Sequence, residues 1–281
     1  MDRFDDGHHV RLRSCVLGTY LHANRDEEGV SLRRRRASLK AAWAVHIYLG
    51  DDDRPYVLLH SAAYGRYLAA TDVLAPRGCP GLRVAQRAYD QPQAESIRWQ
   101  PFRMGYGDDI VLRQVGADRN RYLRANRRYF RRNNSVSVVN WENVISTMMH
   151  WAVEPIPARQ GMPRLPGPIR VRLFTEEGMR QIRFVRASDD GVFTEEGWST
   201  FQFRGRSVHH LRNELATRVG VSDLIMCIRA GPDARLTPLV VNLPRDGQTI
   251  EIVVIIGGTP ASAELQHPDV MRRRERSERE Y

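Results

Sequence analysis

Apolar and polar residues follow the same order three times over the first 155 residues. Each copy runs as an alternating strand, a short turn, Tyr-Leu-x-Ala, a second alternating patch and then a tryptophan. The first copy has Val10-Arg-Leu-Arg-Ser14, Tyr20-Leu21-His-Ala23, Val30/Leu32 and Trp43. The second has Tyr56-Val57-Leu-Leu-His-Ser61, Tyr67-Leu68-Ala-Ala70, Leu82/Val84 and Trp99, and the third has Ile110-Val-Leu-Arg-Gln114, Tyr122-Leu123-Arg-Ala125, Val136/Val138 and Trp151. Alternation at period two predicts four short strands per copy, the last beginning at the tryptophan. A threefold repeat of this kind is one architecture rather than three domains. Twelve short, evenly spaced strands with no room for crossover helices predict a β-trefoil, a barrel closed by hairpins. Its core is expected to hold Leu12, Leu59, Leu112, Leu21, Leu68, Leu123, Trp43, Trp99 and Trp151, with Tyr20, Tyr67 and Tyr122 as the remaining repeat residues.

The pattern changes after residue 155. Five prolines between 155 and 168, with Gly161 and Gly167, remove ladder donors and fix φ. They predict a linker over 156–168 that leaves the flanking domains little shared surface. Strands are then expected at 170–174, 180–185, 199–203, 224–228, 239–241 and 250–256. Ser207 offers a cap to a helix whose Val208, Leu211, Leu215 and Val219 share one face, and Gly220 stops it. Strands around a single helix predict a small α+β domain of the β-grasp, ubiquitin-like kind over 169–256. Residues 257–281 open with Gly257-Gly258 and close on an arginine- and glutamate-rich run, which predicts a disordered charged tail.

Charge adds a second theme. The 281 residues carry 43 basic and 33 acidic side chains, a formal net charge of +10. Only Lys40 is a lysine, a skew that codon bias in a GC-rich genome produces as readily as selection for a binding surface. The excess sits on the repeats in two clusters between the Tyr-Leu-x-Ala and tryptophan strands: Arg33, Arg34, Arg35 and Arg36 with Lys40, and Arg127, Arg128, Arg131 and Arg132 around Tyr129 and Phe130. Both are expected in exposed loops able to bind an anionic partner. The second is expected to carry more affinity, because its rings could stack on bases or sugars.

Signals for chemistry are sparse. No metal-ligand spacing, nucleophile elbow or glycine-rich phosphate loop occurs, and the adjacent histidine pairs cannot both face one metal. The expectation is a non-enzymatic protein with no cofactor. Cys15, Cys79 and Cys227 are odd in number and far apart, which predicts reduced thiols and a cytoplasmic setting. The arginine-rich end is a candidate nuclear-import run. No stretch is apolar enough for a signal core or a membrane span.

The strand, Gly-x-Tyr-Leu-x-Ala and tryptophan spacing over residues 7–155 resembles the plant family of domain of unknown function 569, a trefoil of the fascin-like, actin-crosslinking type. The segment from Gly197-Trp198 through Leu224-Ile-Met-Cys227 resembles the second domain of some members. The resemblance implies a binding role, with actin filaments a protein partner by analogy of fold. Binding of nucleic acid or anionic lipid through the arginines is the alternative. A ricin-type sugar site is disfavoured, since Ala41, Ile97 and Met149 stand where Gln-x-Trp has glutamine.

Overall fold

The computed structural model describes residues 3–50, 53–90, 95–104, 107–116, 120–127, 135–140, 146–168, 178–244 and 247–272. Each repeat supplies four strands. The first gives β1 (His9–Ser14), β2 (Tyr20–Ala23), β3 (Val30–Arg33) and β4 (Trp43–Leu49). The second gives β5 (Pro55–Ser61), β6 (Tyr67–Leu74), β7 (Leu82–Arg87) and β8 (Trp99–Arg103), and the third β9 (Asp109–Gln114), β10 (Arg121–Ala125), β11 (Val136–Asn140) and β12 (Trp151–Ile156). The outer strands of each repeat pair antiparallel in a closed ring, β1–β4–β5–β8–β9–β12 and back to β1. The inner strands form the hairpins β2–β3, β6–β7 and β10–β11 that cap it. This is a β-trefoil, and closure leaves the barrel strands no free edge.

Period two explains the core. Leu21, Leu68 and Leu123 point inward with Leu12, Leu59 and Leu112, and all six are fully buried together with the three tryptophans. Each indole N–H donates to the carbonyl of the leucine in its own repeat: Trp43 to Leu21 at 3.3 Å, Trp99 to Leu68 at 2.8 Å and Trp151 to Leu123 at 3.1 Å. The tyrosine before each leucine therefore faces the other way. Tyr67 packs with Leu58, Tyr89 and Ile97, and Tyr122 with Val111 and Met149, both outside the threefold core.

The second domain comprises β14 (Met179–Arg186), β15 (Ser199–Arg204), α1 (Val208–Val219), β16 (Leu224–Ile228), β17 (Thr237–Pro238) and β18 (Ile250–Ile256). Its sheet runs β15–β14–β18–β16–β17, with β14 parallel to β18 and the other pairs antiparallel. That order and one packed helix define the β-grasp, ubiquitin-like fold. Ser207 Oγ accepts the His210 N–H at 3.3 Å, and Gly220 ends α1 with φ 75°. Val208, Leu211 and Leu215 are buried against Ile182, Met226 and Ile252, with Val219 at the margin. The strand expected at 239–241 lies two residues earlier, and the one expected at 170–174 falls outside the described residues.

Two expectations fail. Residues 156–168 are not free of structure, because Ile156 completes β12 and Ala158–Arg159 form a strand, β13. Nor is all of 257–281 a disordered tail. Residues 257–272 carry a helix, α2 (Pro260–Glu264), and a strand, β19 (His267–Pro268), which pairs with β13. Proline at the first helical turn and the Thr259 Oγ1 cap start α2, and buried Ala261 anchors it. Pro268 is tolerated in β19 because the β13–β19 pair is an isolated two-residue ladder. The charged end dominates the composition of the last 25 residues and hides this capped segment; residues 273–281 lie outside the described residues.

Candidate functional site

The two domains dock. Tyr89 N–H donates to the Ala230 carbonyl at 2.7 Å, and Asp233 N–H donates back to the Tyr89 carbonyl at 3.2 Å. Tyr67 Oη accepts the Arg235 N–H at 3.1 Å, His60 Nδ1 lies 3.0 Å from Thr237 Oγ1, and Arg235 reaches Asp6 at 2.8 Å. Gly231, at φ 108°, brings its backbone so close to the Tyr89 carbonyl that a Cβ there would overlap it. The C-terminal segment adds a clasp. Arg11 donates to the Val270 carbonyl at 2.9 Å, and Arg36 donates to Arg272 O at 3.0 Å while pairing with Glu154 at 3.2 Å. The expectation of little shared surface is thus corrected: buried His60 and Thr237 pair with each other across the junction, and buried Tyr67 accepts the Arg235 N–H.

Docking creates a cleft of about 1070 Å³ between the first repeat and the ubiquitin-like domain. Among the described residues six cations line it, Arg25, Arg33, Arg34, Arg35, Lys40 and Arg206, against a single carboxylate, Asp26. Local structure fixes each. Arg25 and Asp26 lie on the β2–β3 turn, where Asp26 Oδ1 is held by the N–H groups of Glu28 and Gly29 at 3.2 and 2.8 Å. Arg33 ends β3. Ser38 caps the 3-10 turn Leu39–Ala41 that places Lys40, its Oγ accepting Lys40 N–H at 3.3 Å. Arg206 precedes α1, its Nε donating to the carbonyls of Leu243 and Pro244 at 2.8 and 3.0 Å.

Among its described residues the lining carries a net positive charge. Arg33, Arg34 and Arg35 are exposed and have no carboxylate partner among the described residues, whereas Arg36, expected to share their loop exposure, is partly buried in its pair with Glu154. Burial, then Arg25, Arg206 and Arg35, pull the Lys40 ammonium down to about 8. Burial, with Lys40 and Arg33 next, holds His22 near 4. His22 is 8 % exposed and its Nε2 has no hydrogen-bond partner. An anion entering the cleft would relieve this repulsion.

Of the repeat-three cluster only Arg127 lies among the described residues, exposed beside a cleft of about 380 Å³ with Arg124 and Asn126. Arg128, Tyr129, Phe130, Arg131 and Arg132 lie outside them. Arg25, His22 and Arg206 carry no pattern that marks them in the sequence; the adjacency of Arg206 to the Ser207 cap is the one local signal, and nothing in the sequence brings it to the same cleft as Arg35. No group of three or more metal-ligating side chains converges among the described residues, and none of their helices is long and apolar enough to cross a membrane.

Residues 1–154 match the family model of a β-trefoil domain of unknown function, DUF569. The chain belongs to that family. Residues 178–255 match the DUF569-associated ubiquitin-like domain. The DUF569 trefoil is also similar to solved structures. One is a ricin B-like lectin of Macrolepiota procera in complex with lactose, at 14 % identity over 53 % of this chain and 96 % of that one, with a TM-score of 0.40. Another is the SDF2-like protein of Arabidopsis thaliana, at 14 % identity over 54 % and 94 %, TM-score 0.45. A third is a Caenorhabditis elegans protein of unknown function, at 16 % identity over 54 % and 96 %, TM-score 0.44. No curated protein matches the chain. In this DUF569 member Ala41, Ile97 and Met149, the residues two before the tryptophans, are buried apolar members of 3-10 turns.

Proposed function

We propose that this chain is a non-enzymatic binding protein that recognises an anionic partner through the arginine loop of its first repeat and the facing edge of its ubiquitin-like domain. The observation that carries this is the cleft whose described lining holds six cations and one carboxylate. Like charges brought together at a domain junction raise the free energy of the unliganded protein, and an anion lowers it. Exposed arginines could be solvated ornament, but Lys40 and His22 are held partly or wholly out of water inside the same positive field, which supports a site rather than a decorated surface.

The test is binding of the full chain to an anionic matrix such as immobilised heparin, compared with the Arg33→Ser, Arg34→Ser, Arg35→Ser triple variant. The variant should elute at clearly lower salt; equal elution rejects the reading. Filamentous actin is the protein partner to assay first, by co-sedimentation at low salt, and absence of pelleting above background rejects it. A cytoplasmic location and reduced Cys15, Cys79 and Cys227 belong to the same proposal.

A further inference from the structure

On the reading that these cations recognise an anion, the cleft also restricts which anion fits. Three observations narrow the class. The cations come from three separate segments, the β2–β3 turn, the loop after β3 and the entry to α1, so they surround a volume instead of following a line. Extended polymers are met by grooves that track a backbone. This cleft is instead concave, sits at a domain junction and has the size of a small-molecule site.

Depth is the second observation. His22 and Lys40 both line the cleft, His22 nine-tenths buried and Lys40 partly buried, so the lining extends below the exposed arginines and a compact ligand can meet it from inside. The third is what the wall lacks: among its described residues there is no phenylalanine, tyrosine or tryptophan. A nucleotide base would find no aromatic face to stack on, while guanidinium forks match phosphate oxygens in pairs. Ser38 and Asn242 add neutral polar groups on either side.

We infer that the cleft binds a compact small molecule carrying several phosphates and no aromatic base, of the class of cyclitol polyphosphates or short inorganic polyphosphates, with Arg33, Arg34, Arg35 and Lys40 from the trefoil and Arg206 from the ubiquitin-like domain as its cationic ligands. The trefoil alone then presents an incomplete site. A carboxylate ligand of equal charge binds less well, because each phosphate offers more oxygens to the guanidinium forks.

The experiment is isothermal titration of the full chain with sodium tripolyphosphate, with citrate and ATP as comparison ligands and immobilised heparin as the macromolecular control. Tripolyphosphate is expected to bind one per chain, more tightly than citrate and at least as tightly as ATP. Arg35→Ser should weaken it about tenfold or more, the loss expected for one charge-assisted contact. Arg206→Ser should do the same, and Arg127→Ser should leave it unchanged. Because Arg206 also holds two carbonyls, its variant is accepted only with an unchanged melting temperature. Arg33→Ser, whose side chain is exposed, tests the trefoil half of the site without that risk. Retention on heparin without tripolyphosphate binding overturns this inference and leaves the proposed function standing; loss of both overturns both. Tripolyphosphate binding that is indifferent to Arg33, Arg35 and Arg206 also overturns it.

Discussion

The tryptophans repay attention one residue at a time, because each joins packing to a hydrogen bond. Truncating Trp43, Trp99 or Trp151 to Ala removes a fully buried ring and should cost roughly 3–5 kcal/mol. Trp99→Phe keeps much of the packing but strands the Leu68 carbonyl in the core, and should cost about 1–3 kcal/mol. Urea denaturation of each variant checks both figures; a near-neutral Trp→Ala would remove that residue from the core. These residues were legible in the sequence because three copies agree on them. Gly231 was not, since no local pattern marks a glycine whose constraint is a carbonyl 142 positions earlier in the chain. Gly231→Ala is expected to separate the domains while leaving each folded, seen as faster proteolysis of 156–168 with retained near-ultraviolet signal from the buried tryptophans. Lys40 gives a pH signature. Its ammonium, lowered to about 8, loses charge as pH rises through that value, so anion affinity should fall there; Lys40→Arg, which stays charged, should flatten the fall.

Elements were readable wherever period two or a cap fixed them. The trefoil strands follow from alternation, and α1 from Ser207, its apolar face and Gly220. Reading failed where an element is short and its partner distant. β13 and β19 have two residues each and form only because the chain returns to residue 158 after more than a hundred positions. Proline counting and average composition describe isolated segments, and neither can see that return. A chain ending at residue 256 lacks α2, β19 and the carbonyls that Arg11 and Arg36 use. Its melting temperature should drop by several degrees, as about 1–2 kcal/mol requires for a protein of this size. An unchanged melting temperature would return 257–272 to the status of a tail.

For the molecule as a whole, the domains act as a unit, and histidines sit at their junction. Burial, then His267 and His8, holds His9 near 4; burial, then Arg235, holds His46 near 4; and burial, then His9 and His46, keeps His60 well below its ordinary value. Neutral in the folded state, they take up protons on unfolding once pH falls below about 6.5. The unfolded chain binds more protons between about 6.5 and 4, so stability falls as pH is lowered through that window. The urea midpoint at pH 5 should lie below that at pH 7.5, and equal midpoints would contradict buried neutral histidines. The same junction shapes the cleft, which the sequence could not show because Arg206 and the wall formed by Val241 and Asn242 come opposite the first repeat only through docking.

The central claim is that both domains hold one anion between them. A double-mutant cycle on tripolyphosphate affinity tests it most directly, using Arg35→Ser in the trefoil, Arg206→Ser in the ubiquitin-like domain, and their combination. The account predicts a loss from each single variant and a combined loss that departs from their sum, since charges sharing one ligand are coupled. An Arg206 variant that binds as tightly as the unmodified chain, with the Arg35 variant weakened, would contradict it and confine the site to the trefoil.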